Sequence, residues 1–179
     1  MPTLYVMVGL PGSGKSTLLE FVDGPEFDDT PFVYSTDNYI ERCAKMNRKS
    51  YNEVFQDFIK PATKHMNEML ILAIKQCADV YWDQTNMSSK KRIGILSRFP
   101  KTYRKVCICR VPPRSDEEWA ELNSRILRRA EHTGKMIPPH IVESMADTYV
   151  EPTLDEGFDE VYLYDIYGNK IMVDITLES

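Results

Sequence analysis

No apolar run in these 179 residues approaches the ~20 consecutive residues that a membrane-spanning helix needs. The opening MPTLYVMVGL has neither the basic start nor the small-residue cleavage site of a secretory leader, so a soluble, cytoplasmic protein is expected. Cysteine is sparse: Cys43, Cys77, Cys107 and Cys109 fall in unrelated segments, and only the last two are close. Flanking Ile108 in an apolar strand, those two should face one side as small hydrophobes in a reduced compartment. His65, His132 and His140 are too scattered to complete a zinc set with them. A basic excess is missing too. The net charge is −5, which argues against coating nucleic acid by charge alone. Its distribution is uneven: residues 40–135 carry 20 Lys and Arg against 11 Asp and Glu. That basic middle suits phosphate attraction or plain solvated helix faces.

What is present alternates between strand and helix. Residues 3–8 read as a buried parallel strand running into Gly9. A helix is expected over 17–22, a strand over 32–35, and a helix over 37–44 capped near Thr36 or Asp37. Residues 51–77 read as two helices divided at Pro61, the second with Ala62, Met66, Met69, Leu70, Ala73, Ile74 and Cys77 on one stripe. Strands follow at 80–83 and 106–111, helices at 88–98, 116–132 and 138–149. A hairpin over 161–175 turns at Gly168-Asn169. Such alternation points to a mostly parallel sheet covered by helices.

Gly9-Leu10-Pro11-Gly12-Ser13-Gly14-Lys15-Ser16 satisfies GxxxxGK[ST] between a predicted strand and a predicted helix, the context the motif requires. Glycines let backbone N–H groups converge on phosphate oxygens. Lys15 is expected at the β and γ phosphates and Ser16 on Mg²⁺. Asp37, just past the second strand, stands where a carboxylate can take a proton from an attacking hydroxyl, or where it caps a helix. Asp83 closes the strand VYWD at the position where an acid orients Mg²⁺. Arg125 and Arg129, four apart, share a helix face, where they either close over a triphosphate or pair with Glu121 and Glu131. The guanine motif NKxD is absent, since Asn169-Lys170 runs into Ile171-Met172.

Together GLPGSGKST (9–17), STDNY (35–39), DQTN (83–86), the arginine-rich helix around 125–129 and the tail over 137–161 resemble the polynucleotide-kinase branch of the small P-loop kinases. The likeness runs along most of the chain. It implies an α/β three-layer sandwich of the kinase-type P-loop NTPase class: one domain over 1–179, a mostly parallel five-stranded sheet, a helical lid over about 115–136, and a small C-terminal edge hairpin. It implies ATP and Mg²⁺ as cofactors. Gly9, Pro11, Gly12, Ser13, Gly14, Lys15, Ser16 and Thr17 would then surround the nucleotide, with Arg125 and Arg129 in the lid. Ser16 and Asp83 would lie by the metal, and Lys15, Asp37 and Arg129 would be catalytic, Asp37 as general base. The implied acceptor is the 5′-hydroxyl of a DNA or RNA end, the alternative being a nucleoside, nucleotide or other small alcohol. One departure bears on that choice. Ile40 stands where the phage-type enzymes have an arginine for the acceptor's phosphate, leaving Arg42 and Arg48 as candidate replacements.

Overall fold

β1 (Thr3–Val8) is buried along its whole length, and its alternating side chains feed two separate cores. Leu4, Val6 and Val8 enter the larger cluster, while Tyr5 and Met7 enter a smaller one on the opposite face. The computed structural model describes residues 1–20 and 31–176, without the side chains of Ser16, Leu19 and Glu20. Further strands are β2 (Phe32–Tyr34), β3 (Val80–Asp83), β4 (Arg104–Arg110), β5 (Glu160–Tyr164) and β6 (Lys170–Ile175). Helices are α1 (Thr36–Asn47), α2 (Tyr51–Lys75), α3 (Ser89–Leu96), α4 (Asp116–Thr133) and α5 (Pro139–Asp147).

The sheet order is β2-β3-β1-β4-β5-β6. The first five strands are parallel and β6 runs antiparallel to β5. The hairpin strand is therefore a full sixth member of the sheet, not an appendage to five. Cys107 and Cys109 join the larger core and Val106 and Ile108 the smaller one, as period-two alternation requires. Residues of α2, α3, α4 and α5 (Leu70, Ile95, Leu122, Val142) pack on the larger core, and Leu18 packs on the other face.

Three local readings need correction. The helix expected over 17–22 is a 3₁₀ helix, Lys15–Glu20, and residues 21–22 of that segment lie outside the described residues. Ser35, not Thr36 or Asp37, caps α1, its hydroxyl accepting from the Asn38 amide at 3.3 Å. Finally, α2 is one helix of 25 residues with Pro61 inside it. Proline removes one backbone donor, yet Val54 before it and Ala62 after it pack into the same cluster with Ile40 and Ala44 of α1. Tertiary packing outweighs the break. On the predicted stripe Ala62, Leu70 and Ala73 are buried, whereas Met69 and Cys77 are exposed. Among the described residues no helix is long and apolar enough to cross a membrane.

Candidate active site

β1 is flanked by β3 and β4, so the chain order reverses about its carboxyl end, the crevice where open α/β sheets bind ligands. The loop leaving β1 is tied down from the β3 side. The Gly9 amide donates to the Thr85 carbonyl at 3.0 Å, and Asn86 Nδ2 donates to the Met7 carbonyl at 2.7 Å. Register pairs Met7 with Asp83, which sets that carboxylate beside the loop. The loop closes on itself through Ser13 N to Leu10 O and Thr17 N to Gly14 O, both 3.1 Å. The Thr17 hydroxyl also donates to the Gly14 carbonyl at 2.7 Å. Gly14 has φ +80°, a backbone conformation that favours glycine, and a Cβ there would stand 3.3 Å from Arg110 Nη2.

Lys15 Nζ lies 3.7 Å from Asp83 Oδ1. Burial draws the Lys15 ammonium below the ordinary lysine range, although Asp83 and Asp37 oppose the shift. The Ser16 side chain lies outside the described residues. Pro11 forms part of the wall of the cavity described below.

α4 brings its arginines to this loop unequally. Arg125 Nη1 donates to the Ser13 carbonyl at 3.3 Å while its Nε pairs with Glu121 at 2.6 Å, so Arg125 makes the expected pair with Glu121 and also touches the loop backbone. Arg129 pairs with Glu41 of α1 at 3.1 Å, not with Glu131. Arg128 points outward, 4.0 Å from Glu121. Arg110, at the end of β4, is a loop contact that sequence reading missed. It is buried, donating to the Asp165 carbonyl at 2.7 Å and the Gly14 carbonyl at 3.3 Å. Its buried Nε has no hydrogen-bond partner among the described residues. Burial, then the nearby Arg125, holds its guanidinium below the usual arginine range.

A cavity of about 460 Å³ opens beside the loop, with Asp37, Asp83, Gln84, Thr85, Lys91 and Lys135 among its polar lining. Its body is apolar, with Phe55, Ile59, Met136, Ile137, Ile141 and Met145 in its walls. A short relay links the end of β3 to the start of α1: Trp82 Nε1 donates to Gln84 (3.1 Å) and Gln84 donates to Thr36 (3.4 Å). Asp37 accepts from the Tyr51 hydroxyl at 2.5 Å and pairs with the Lys135 ammonium. Burial alone would raise the Asp37 carboxyl, but Lys135, the Tyr51 hydroxyl and Arg129 outweigh it and leave it below the usual carboxylate range. Tyr51 is correspondingly pushed far up, by burial first and then by Asp37. Ile40 is fully buried, and neither Arg42 nor Arg48, both exposed, lines the cavity. The cations there are Lys91 and Lys135.

The donor set fits a nucleotide with Mg²⁺. A buried lysine and an unpartnered buried guanidinium nitrogen surround a backbone-lined loop, and Mg²⁺ commonly takes one or two carboxylates plus substrate phosphates. Asp83, beside Lys15 at the end of β3, would be such a carboxylate. No cluster of three or more His, Cys, Asp or Glu suited to a metal occurs among the described residues.

A glycine-rich phosphate loop on the central strand of this order, with an acid ending the neighbouring strand, defines a P-loop nucleotide-binding domain of kinase-like fold. The chain belongs to the AAA_33 family, described as an AAA domain, whose model matches residues 4–152. Solved structures are similar in fold. A chain of the Pnkp1/Rnl/Hen1 RNA repair complex is 24% identical with TM-score 0.58, covering 82% of this chain and 43% of that one. This chain thus spans less than half the length of that relative. A chain of the PezAT toxin–antitoxin system of Streptococcus pneumoniae is 16% identical (TM-score 0.60; 97% and 72% covered). A putative kinase from Chloroflexus aurantiacus is 17% identical (TM-score 0.59; 92% and 85% covered). The sequence resemblance to small P-loop kinases is borne out at the level of family and fold.

Proposed function

We propose that the protein is an ATP- and Mg²⁺-dependent kinase that passes the γ-phosphate to a hydroxyl, first of all the 5′-hydroxyl of a DNA or RNA end. One observation carries the reading: Asp37 lines a cavity beside the phosphate loop and is not the cap of its helix. A carboxylate held ionised there accepts the acceptor's hydroxyl proton as its oxygen bonds to the γ-phosphorus and the bond to the β-γ bridging oxygen breaks, releasing ADP. Lys15 and the loop amides hold the phosphates; Arg125 and Arg129 sit in a lid over 115–136. Asp83 and the Ser16 hydroxyl would hold Mg²⁺, which when bound neutralises charge on the phosphates.

A small alcohol of nucleoside type is the second reading. It is favoured by the apolar cavity walls and by Ile40 lying in the core. The fold shared with a chain of an RNA repair complex supports the first. Labelled ATP with a 5′-hydroxyl oligonucleotide, and separately with a nucleoside panel, tells the two apart.

Asp37→Asn tests the chemistry. Because Ser35 supplies the cap, the substitution leaves the helix start intact. Single-turnover transfer should fall by about 10²–10⁴-fold, the usual worth of a positioned base, with ATP binding nearly unchanged. Normal transfer in this variant sinks the assignment.

A further inference from the structure

Lys135 lies one residue beyond the glycine that caps α4, and its seat is built from several directions. Gly134 has φ +69°, and a Cβ there would stand 2.9 Å from Ser50 Cβ, so only glycine lets the end of α4 approach the start of α2 this closely. The Lys135 amide donates to the Thr133 hydroxyl at 3.2 Å, and Asn52 Nδ2 donates to the Met136 carbonyl at 3.1 Å. Between these anchors the Lys135 side chain is only 9% exposed. Its ammonium sits 4.6 Å from the Tyr51 ring centre and pairs with Asp37 Oδ2, while the Tyr51 hydroxyl takes Oδ1. A surface ion pair between two mobile side chains would have none of this scaffolding.

We propose that Lys135 is a positioning residue for phosphoryl transfer: with the Tyr51 hydroxyl it fixes the Asp37 carboxylate, ionised and oriented, at the edge of the acceptor cavity. This inference rests on the kinase reading above. Each carboxylate oxygen keeps a lone pair beyond its present bond, so an acceptor O–H still finds a place on Asp37. The proton moves to Asp37 as the acceptor oxygen bonds to phosphorus, then passes to solvent after ADP leaves. The remaining charged groups near Asp37 are Arg129 from α4, paired with Glu41 of α1, and Lys15 and Asp83 from the loop side. Among the described residues, Lys135 is the cation paired directly with it. Because Lys135 follows the Gly134 cap of α4 directly, the segment leaving the helix that carries Arg125 and Arg129 supplies the group that orients the base.

A strut that merely ties α4 to α1 would affect stability and leave the chemistry of Asp37 alone, so the test reads that chemistry directly. Titrate the Asp37 carboxyl by ¹³C NMR in the full chain without acceptor, the signal assigned by its loss in Asp37→Asn. In parallel, record the pH profile of single-turnover transfer to a 5′-hydroxyl oligonucleotide and to nucleosides. In Lys135→Met the Asp37 midpoint should rise by about 1–3 pH units, the usual effect of losing an adjacent opposite charge, and the acid limb of transfer should move with it. Transfer at neutral pH should drop by roughly 10–10²-fold, the scale for a misplaced reacting group, with ATP affinity held. Lys135→Arg should restore the midpoint, and Lys135→Gln serves if the methionine variant fails to fold. An unmoved midpoint overturns the proposal, and so does a moved midpoint with full transfer. If no hydroxyl compound accepts phosphate, the kinase reading fails, while the NMR arm still decides whether Lys135 controls Asp37.

Discussion

Burial lowers the Lys15 proton affinity and Asp83 and Asp37 only partly restore it, so the sign of its pH behaviour can be worked out. A depressed lysine value means the folded state favours the neutral amine. Without nucleotide, stability should rise as pH climbs through that value, below the ~10.4 of a free lysine. A triphosphate favours the ammonium instead. ATP affinity should weaken over the same range, and binding there should take up a proton, which calorimetry in buffers of differing ionisation heat measures. Lys15 was legible because a spacing motif pinned it to a strand end. Tyr51 and Lys135 were not, since their value lies in meeting Asp37 from 14 and 98 residues away. Arg110 left one faint mark, a charge ending an apolar strand just before Pro112-Pro113.

Between α3 and the tail, a buried ion pair holds the loop that follows Asp83. Arg92 is fully buried and forks onto Glu156 at 2.7 and 2.6 Å. It also donates to the carbonyls of Asn86, Met87 and Val150 at 3.0, 2.8 and 2.8 Å. Removing one partner of such a pair leaves an uncompensated charge and several bare carbonyls. Arg92→Met should therefore cost about 3–5 kcal/mol, roughly 10 °C in the melting temperature of a chain this size, as thermal denaturation will read. Here the sequence showed the pieces without their connection. The tail Glu156-Gly157-Phe158-Asp159 carried part of the resemblance, and the fold supplies a reason: an ion pair, a positive φ of 109°, a buried ring, and a carboxylate accepting from the Lys105 amide. Element ends were less legible. The unbroken α2 and the 3₁₀ turn after the loop depend on packing that no local pattern records.

At the scale of the molecule, the basic middle of the sequence does not gather at the cavity. Many of its charges are spent in pairs such as Arg92–Glu156, Arg104–Glu160 and Arg125–Glu121, leaving Lys91 and Lys135 as cavity cations. An oligonucleotide acceptor should thus be held mainly by its terminal residue. With Lys135 committed to Asp37, one phosphate contact from Lys91 predicts an affinity loss of only about threefold between 50 and 200 mM salt, which fluorescence anisotropy will measure; a far steeper slope would mean a longer track across the surface. Alternation of strand and helix made the parallel sheet legible, whereas the strand order, which brings Asp83 and Arg110 to either side of one loop, arises only on folding.

That order also grades the sheet from centre to margin. β1 and β4 lie inside it with their apolar residues fully covered, while every residue of β6 is exposed and bonded to β5 alone. Local opening costs least where few contacts are lost, so fraying begins at β6 and spreads inward last to the strands that bear the phosphate loop. The margin can breathe while the catalytic geometry stays assembled, which separates the lifetime of the site from that of the outermost strand.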